Sequence, residues 1–190
     1  MDARVTQVEG GPGDGGEKFI RERVLPGVRE RDGFEGALNV VDRDSGRGYS
    51  ILFWRDSEAL KATDELAASF RDEAQGQGYE PSLLGQFEVV ALDTSGGDPQ
   101  VARLVRTSGG GDMASFIREQ VSPTYQDRDG YLGVIGMSAG DQGIGISLWA
   151  SDEAFDGAED AMQQVGQALE GAGFQREGLE RLAVAISELP

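Results

Sequence analysis

The chain has 190 residues, 38% of them apolar, and its 17 basic against 34 acidic side chains leave a net charge of −17. With no Cys and no His it has no disulfide, no thiolate metal site, and no imidazole to serve as base, metal ligand or haem ligand. That charge argues against nucleic acid as a partner, no apolar run approaches the roughly 20 residues of a membrane span, and the opening MDARVTQVEGG lacks a signal-peptide pattern, so a cytoplasmic protein without membrane contact is expected.

Residues 3–8 (ARVTQV) alternate and are β-branched, which predicts a strand. The glycine-rich stretch 10–16 lacks the Gly-Lys-Ser/Thr ending of a phosphate loop and reads as a flexible connection, with Asp14 opening a helix. That helix places Phe19, Ile20, Val24 and Val28 on one face. Pro26 should kink or end it, and Asp32-Gly33 should stop it. A hairpin follows, with strands at 34–41 and 49–54 around a turn at 42–48. Tyr49, Ile51 and Phe53 point one way; Ser50 and Leu52 point the other. Small residues on that second face leave room for a helix or a ligand. Asp56 or Ser57 caps a second helix carrying Ala59, Leu60, Leu66, Ala67 and Phe70, which the glycines at 76 and 78 end. A last strand is expected at 87–92.

The sequence then repeats itself. Residues 19–36 and 116–133 match at ten of eighteen positions with an offset of 97. With an offset of 95, Ile51, Trp54, Glu58, Gly76 and Val89 meet Ile146, Trp149, Glu153, Gly171 and Val184, and upstream Ala3-Arg4-Val5 aligns with Ala102-Arg103-Leu104. The second copy has its own Pro123, caps at Asp112 and at Ser151 or Asp152, and a strand face of Gly145 and Ser147. The expected organisation is an N-terminal repeat over 1–92, a linker over 93–99 and a C-terminal repeat over 100–190. Each repeat has the order β-α-β-β-α-β, the ferredoxin-like motif. Each sheet is apolar on both faces, so the fold class is α+β, two ferredoxin-like repeats packed as an intramolecular dimeric α/β-barrel with its edges closed. Such a pseudo-dimer leaves a further homodimer open.

Pro26 followed by Gly33-Phe34-Glu35-Gly36, a hairpin and Trp54-Arg-Asp-Ser-Glu-Ala59, with the matching set Pro123, Gly130-Tyr131-Leu132-Gly133 and Trp149-Ala-Ser-Asp-Glu-Ala154, resembles the antibiotic biosynthesis monooxygenase-like family of the dimeric α/β-barrel superfamily. The resemblance implies a small-molecule-binding protein similar to cofactor-independent monooxygenases of phenolic or quinol-type substrates, with no cofactor, no metal and a small aromatic ligand as partner. The alternative is a non-catalytic ligand- or protein-binding member of the same fold. The haem-degrading branch fits poorly, because it uses a His and a Trp in the second helix and residues 61–67 read Lys-Ala-Thr-Asp-Glu-Leu-Ala. The candidate pocket residues are Asn39, Tyr49, Trp54 and Trp149. Each has a structural reading beside the functional one: the tryptophans as anchors at a strand end, Asn39 and Tyr49 as strand residues beside a turn. Arg21 and Arg118 read as a solvated helix face. No residue stands out as catalytic.

Overall fold

Alternating apolar residues make eight strands, and the amphipathic segments between them make helices. The computed structural model describes all 190 residues. The first half holds β1 (Asp2–Gly10), α1 (residues 17–29), β2 (Phe34–Val41), β3 (Gly48–Trp54), α2 (Ser57–Lys61), α3 (Asp64–Gly76) and β4 (Tyr79–Thr94). The second holds β5 (Val101–Gly109), α4 (residues 113–125), β6 (Tyr131–Ala139), β7 (Gln142–Trp149), α5 (Asp152–Asp156), α6 (Glu159–Gly171) and β8 (Phe174–Glu188). The strands form a closed barrel in the order β1-β3-β2-β8-β5-β7-β6-β4.

The chain divides into two compact units, Met1–Phe87 with Ala183–Pro190, and Glu88–Leu182. The division falls inside β4 and β8 rather than in the 93–99 segment, because these strands are 16 and 15 residues long. Each begins in one unit and ends in the other. In the first unit β3 pairs antiparallel with β1 (Val5 opposite Ile51) and with β2 (Asn39 opposite Ser50), and the end of β8 extends β2 (Ile186 opposite Asn39). In the second, β7 pairs with β5 (Leu104 opposite Ile146) and β6 (Gly136 opposite Gly145), and the end of β4 extends β6 (Ala91 opposite Gly136). Helices cover one face of each sheet. Phe19, Val24 and Leu60 pack there with Leu52 and Trp54 in the first unit; Phe116, Val121 and Leu169 pack with Val134 and Trp149 in the second. On the opposite face Tyr49, Ile51 and Phe53, like Ile146 and Leu148, are fully buried.

Three elements differ from the sequence expectation. The first helix of each repeat passes through its proline. It does so by a π turn, Ile20–Val24 or Ile117–Val121, in which the N–H of Leu25 reaches the carbonyl of Ile20 and that of Ser122 reaches Ile117. Pro26 and Pro123 then stand in the first turn of the next α segment, where a missing N–H costs little. The second helix is broken, at Thr63 in one repeat and Ala158 in the other. The last strands begin eight residues earlier than expected, at Tyr79 and Phe174, because the polar, Pro81-bearing stretch lacks the alternation that marks a half-buried strand. Three caps fall where the sequence placed them: Asp56 accepts from the Ala59 N–H at 2.8 Å, Ser151 from Ala154 at 3.2 Å and Asp112 from Ser115 at 3.1 Å; the first helix is instead capped at Gly16, whose N–H donates to Asp14 at 3.0 Å.

Candidate functional site

Between helices and sheet each unit has a half-open cavity, about 50 Å³ in the second and about 60 Å³ in the first. Their floors are the small-residue face of the central strand, Gly145 and Ser147 of β7 in one and Ser50 and Leu52 of β3 in the other. Both cavities are mainly apolar. Both also hold an arginine from the first strand of the repeat, Arg103 or Arg4.

Arg103 is only 8% exposed. Its Nη1 donates to the Tyr125 hydroxyl at 3.0 Å and to the Met162 carbonyl at 3.4 Å. Its Nε and Nη2 make no hydrogen bond, and Glu159, which holds Asp64's place in the repeat, forms no ion pair with it. Burial pushes the Tyr125 phenol up, while the charge and hydrogen bond of Arg103 oppose this. Thr107, two turns of the pleat along β5, lines the same cavity with a buried hydroxyl that has no partner. No carboxylate lines the cavity. Phe116, Ile117 and Val121 of α4 form its roof. Gly136 lets that roof descend: a Cβ there would lie 2.1 Å from Ile117 Cδ1. A wider groove of about 550 Å³ runs alongside between α6 and β8, and Arg103, Gly166 and Arg176 border both spaces.

Arg4 is 3% exposed, and both of its Nη atoms are engaged. It donates to Thr63 Oγ1 at 3.0 Å and to the Leu60 carbonyl at 3.0 Å, and pairs with Asp64. The break in the second helix exposes that carbonyl, so Arg4 caps the end of α2. Burial lowers the Arg4 pKa, and Asp64 pulls it the other way. Tyr79 also lines this cavity and donates to Asp14 at 3.2 Å; burial, then the Asp14 charge, pushes its phenol up to about 12.

The four residues chosen from sequence stand elsewhere. Asn39 lies on β2 opposite Ser50, its amide donating to the Tyr49 carbonyl at 3.2 Å and its Oδ1 unpartnered. The Tyr49 side chain is on the opposite face of the sheet and fully buried. Trp54 packs edge-on to Phe34 at 5.5 Å. Trp149 packs edge-on to Tyr125 at 5.4 Å, and its indole N–H donates to Ser147 at 3.1 Å. None of the four lines either cavity. Arg21 and Arg118 are exposed, bonded to the Ala185 carbonyl and to Ser115 Oγ. The buried arginines were missed, although the repeat alignment already paired them. The signal present was a cation kept in both copies on the inward face of an otherwise β-branched strand.

No family model matches the chain. An uncharacterized Mycobacterium tuberculosis protein is 39% identical over 137 residues, 68% of this chain and 58% of that protein; the chain thus spans less than two thirds of that relative's length. A second uncharacterized protein of the same organism is 26% identical over 182 residues, covering 93% and 80%. Solved structures share the fold at low identity. A Lactobacillus acidophilus protein assigned as a monooxygenase has a TM-score of 0.66 at 12% identity, covering 98% of this chain and 94% of that one. An anthrone oxidase-like protein gives 0.60 at 13%, covering 98% and 92%. A haem-degrading enzyme of Listeria monocytogenes gives 0.57 at 10%, covering 96% and 99%. A Listeria monocytogenes ferredoxin-fold protein related to antibiotic biosynthesis monooxygenases gives 0.51 at 9%, covering 97% and 95%. The chain therefore has, within one polypeptide, the ferredoxin-like dimeric α/β-barrel fold of the antibiotic biosynthesis monooxygenase-like proteins.

Proposed function

We propose that this protein binds a small aromatic molecule between helices and sheet, and that it is a monooxygenase-like protein acting without a bound cofactor on phenolic or quinol-type substrates. The observation that carries the reading is a buried guanidinium facing an apolar cavity, Arg103 among Val105, Phe116, Ile117 and Leu169. A site of that kind desolvates an aromatic body and stabilises negative charge on its edge. In such chemistry the bound anion supplies the electrons to O₂, and the protein orients it and excludes water. With no His in the chain and no carboxylate in the cavity, no side chain there serves as base. Arginine stays protonated, so the substrate arrives already ionised. The duplicated organisation read from the sequence fits this proposal, since each copy supplies one such cavity.

A second reading, ligand binding without turnover, is supported by the cavity's size. About 50 Å³ is well under the roughly 150 Å³ that accommodates benzene in an engineered core. A substrate must therefore displace side chains or extend into the neighbouring groove. A thermal-shift screen with phenols, naphthols, aromatic carboxylates and fatty acids tests binding, since a ligand of the folded state raises Tm by mass action. Oxygen uptake with each hit then separates turnover from binding. No shift with any of them discards the small-molecule reading.

A further inference from the structure

We infer that only the second unit holds a working ligand site, and that its ligand is an aromatic carboxylate seated on Arg103 and admitted past Gly166. The inference rests on the small-molecule reading above and adds which copy works, what the ligand carries and where it enters.

The two cavities share the arginine and differ in the polar groups around it. Arg4 spends both Nη atoms on Thr63, Leu60 and Asp64, whereas Arg103 keeps Nη2, beside its Nε, without a partner. Tyr125, which steadies Arg103, stands where the first repeat has Val28, fully packed in the apolar core. Thr107, with its unpartnered hydroxyl, stands where the first repeat has Val8. A cation only 8% exposed and without a counter-charge is costly in an apolar setting. An anion supplied from outside removes that cost, and the two free N–H groups match the geometry of a carboxylate.

The mouths differ in the same sense. Arg71 lines the first cavity, and its repeat partner Gly166 lines the second. A Cβ at Gly166 would meet only Arg176 Nη1, at 3.8 Å, so the passage from groove to cavity is open at that point. Arg176 itself borders the passage in place of Pro81 of the first unit, paired with Glu170 at 3.4 Å. An anionic head passing Arg176 reaches Arg103 while the ring lies against Val165 and Leu169. The groove balances Arg103, Arg176 and Arg181 against Glu159, Glu170 and Glu180, so the preference for an anion rests on the seat at Arg103.

Calorimetric titration of the whole chain with 2-naphthoate, and with the neutral 2-acetylnaphthalene as its comparator, tests this. The expected result is one site per chain, with the neutral compound at least tenfold weaker. Arg103→Met and Gly166→Leu should each weaken 2-naphthoate at least tenfold. Ala74→Leu, which fills the first cavity with the residue that Leu169 supplies in the second, should leave its affinity within twofold. Gly166→Leu keeps Arg103 intact and lies in a helix, so its loss of binding at unchanged or raised Tm reports a closed passage rather than misfolding. Two sites per chain, binding abolished by Ala74→Leu, or equal affinity for the neutral compound overturns the inference while leaving the small-molecule reading standing. Absence of binding by both compounds, together with a blank thermal-shift screen, removes both.

Discussion

Arg4 and Arg103 occupy the same place in two copies of one strand, and their surroundings set unequal costs. Arg4 bonds a hydroxyl and a carbonyl that also bond each other, and pairs with the half-exposed Asp64, so its removal loses two buried hydrogen bonds and leaves Asp64 without its cation. Arg103 has no carboxylate to lose, but it is the hydrogen-bond partner of the buried Tyr125 hydroxyl. Replacing a buried charge with an apolar side chain of like volume relieves desolvation. Arg103→Met trades that relief against an unbonded Tyr125 hydroxyl and should stay within about 1 kcal/mol of the parent, whereas Arg4→Met should lower stability by about 1–2 kcal/mol. At this chain length each kcal/mol moves Tm by about 2–4 °C. Calorimetric melts of the two variants decide the matter: an Arg103→Met variant destabilised as much as Arg4→Met would mean that the guanidinium serves the fold. The two arginines were legible as a matched pair within the chain, and their difference was not. It depends on partners about 60 positions away, Thr63 and Asp64 for Arg4 and Met162 for Arg103, whose approach the helix break controls.

At the scale of elements, local chemistry was legible and long-range pairing was not. Caps at Asp56, Asp112 and Ser151, the hairpin, and the small-residue strand face all rest on contacts within a few residues, and they appear where expected. The early halves of β4 and β8 are exposed and polar, and only their neighbours in the barrel make them strands. The π turn is of the second kind. Its effect is to insert one residue before Pro123, which sets Tyr125 on the face that meets Arg103 and Trp149. Deleting the exposed Gln120 removes that residue and rotates the remainder of α4 by about 100°. The expected outcome is a loss of about 3 kcal/mol or more, as for other breaks of a buried network, with a changed near-ultraviolet dichroism from the Tyr125–Trp149 pair. Gln120→Ala should stay within about 0.5 kcal/mol of the parent. A deletion variant with the parent's melting curve would show that the turn carries no register.

For the whole molecule, two-faced apolar sheets argued for closure, and the strands close. The sequence could not show that the closing strands run through both units, because strand length beyond one sheet leaves no local mark. The charge balance has a consequence at this scale as well. Asp32 and Asp160 are held below the usual carboxylate range by Arg55 and Arg128, Asp42 and Asp112 by the hydroxyls of Ser45 and Ser115, and Asp56 by the Ala59 N–H. A depressed folded-state pKa stabilises the fold above the unfolded value of roughly 3.9 and loses that contribution as pH falls through the folded value. At pH 7 the opposing influence is self-repulsion among the excess carboxylates, which salt screens over a Debye length of about 10 Å at 0.1 M. Melting temperature should therefore rise with NaCl at pH 7, rise modestly as pH falls toward the isoelectric point near 4.3, and drop steeply below it. Melts from pH 3 to 8 at low and high NaCl measure all three. A Tm that falls with salt at pH 7 would show that attractive pairs such as Arg128–Asp160 and Arg181–Asp156 outweigh the net repulsion.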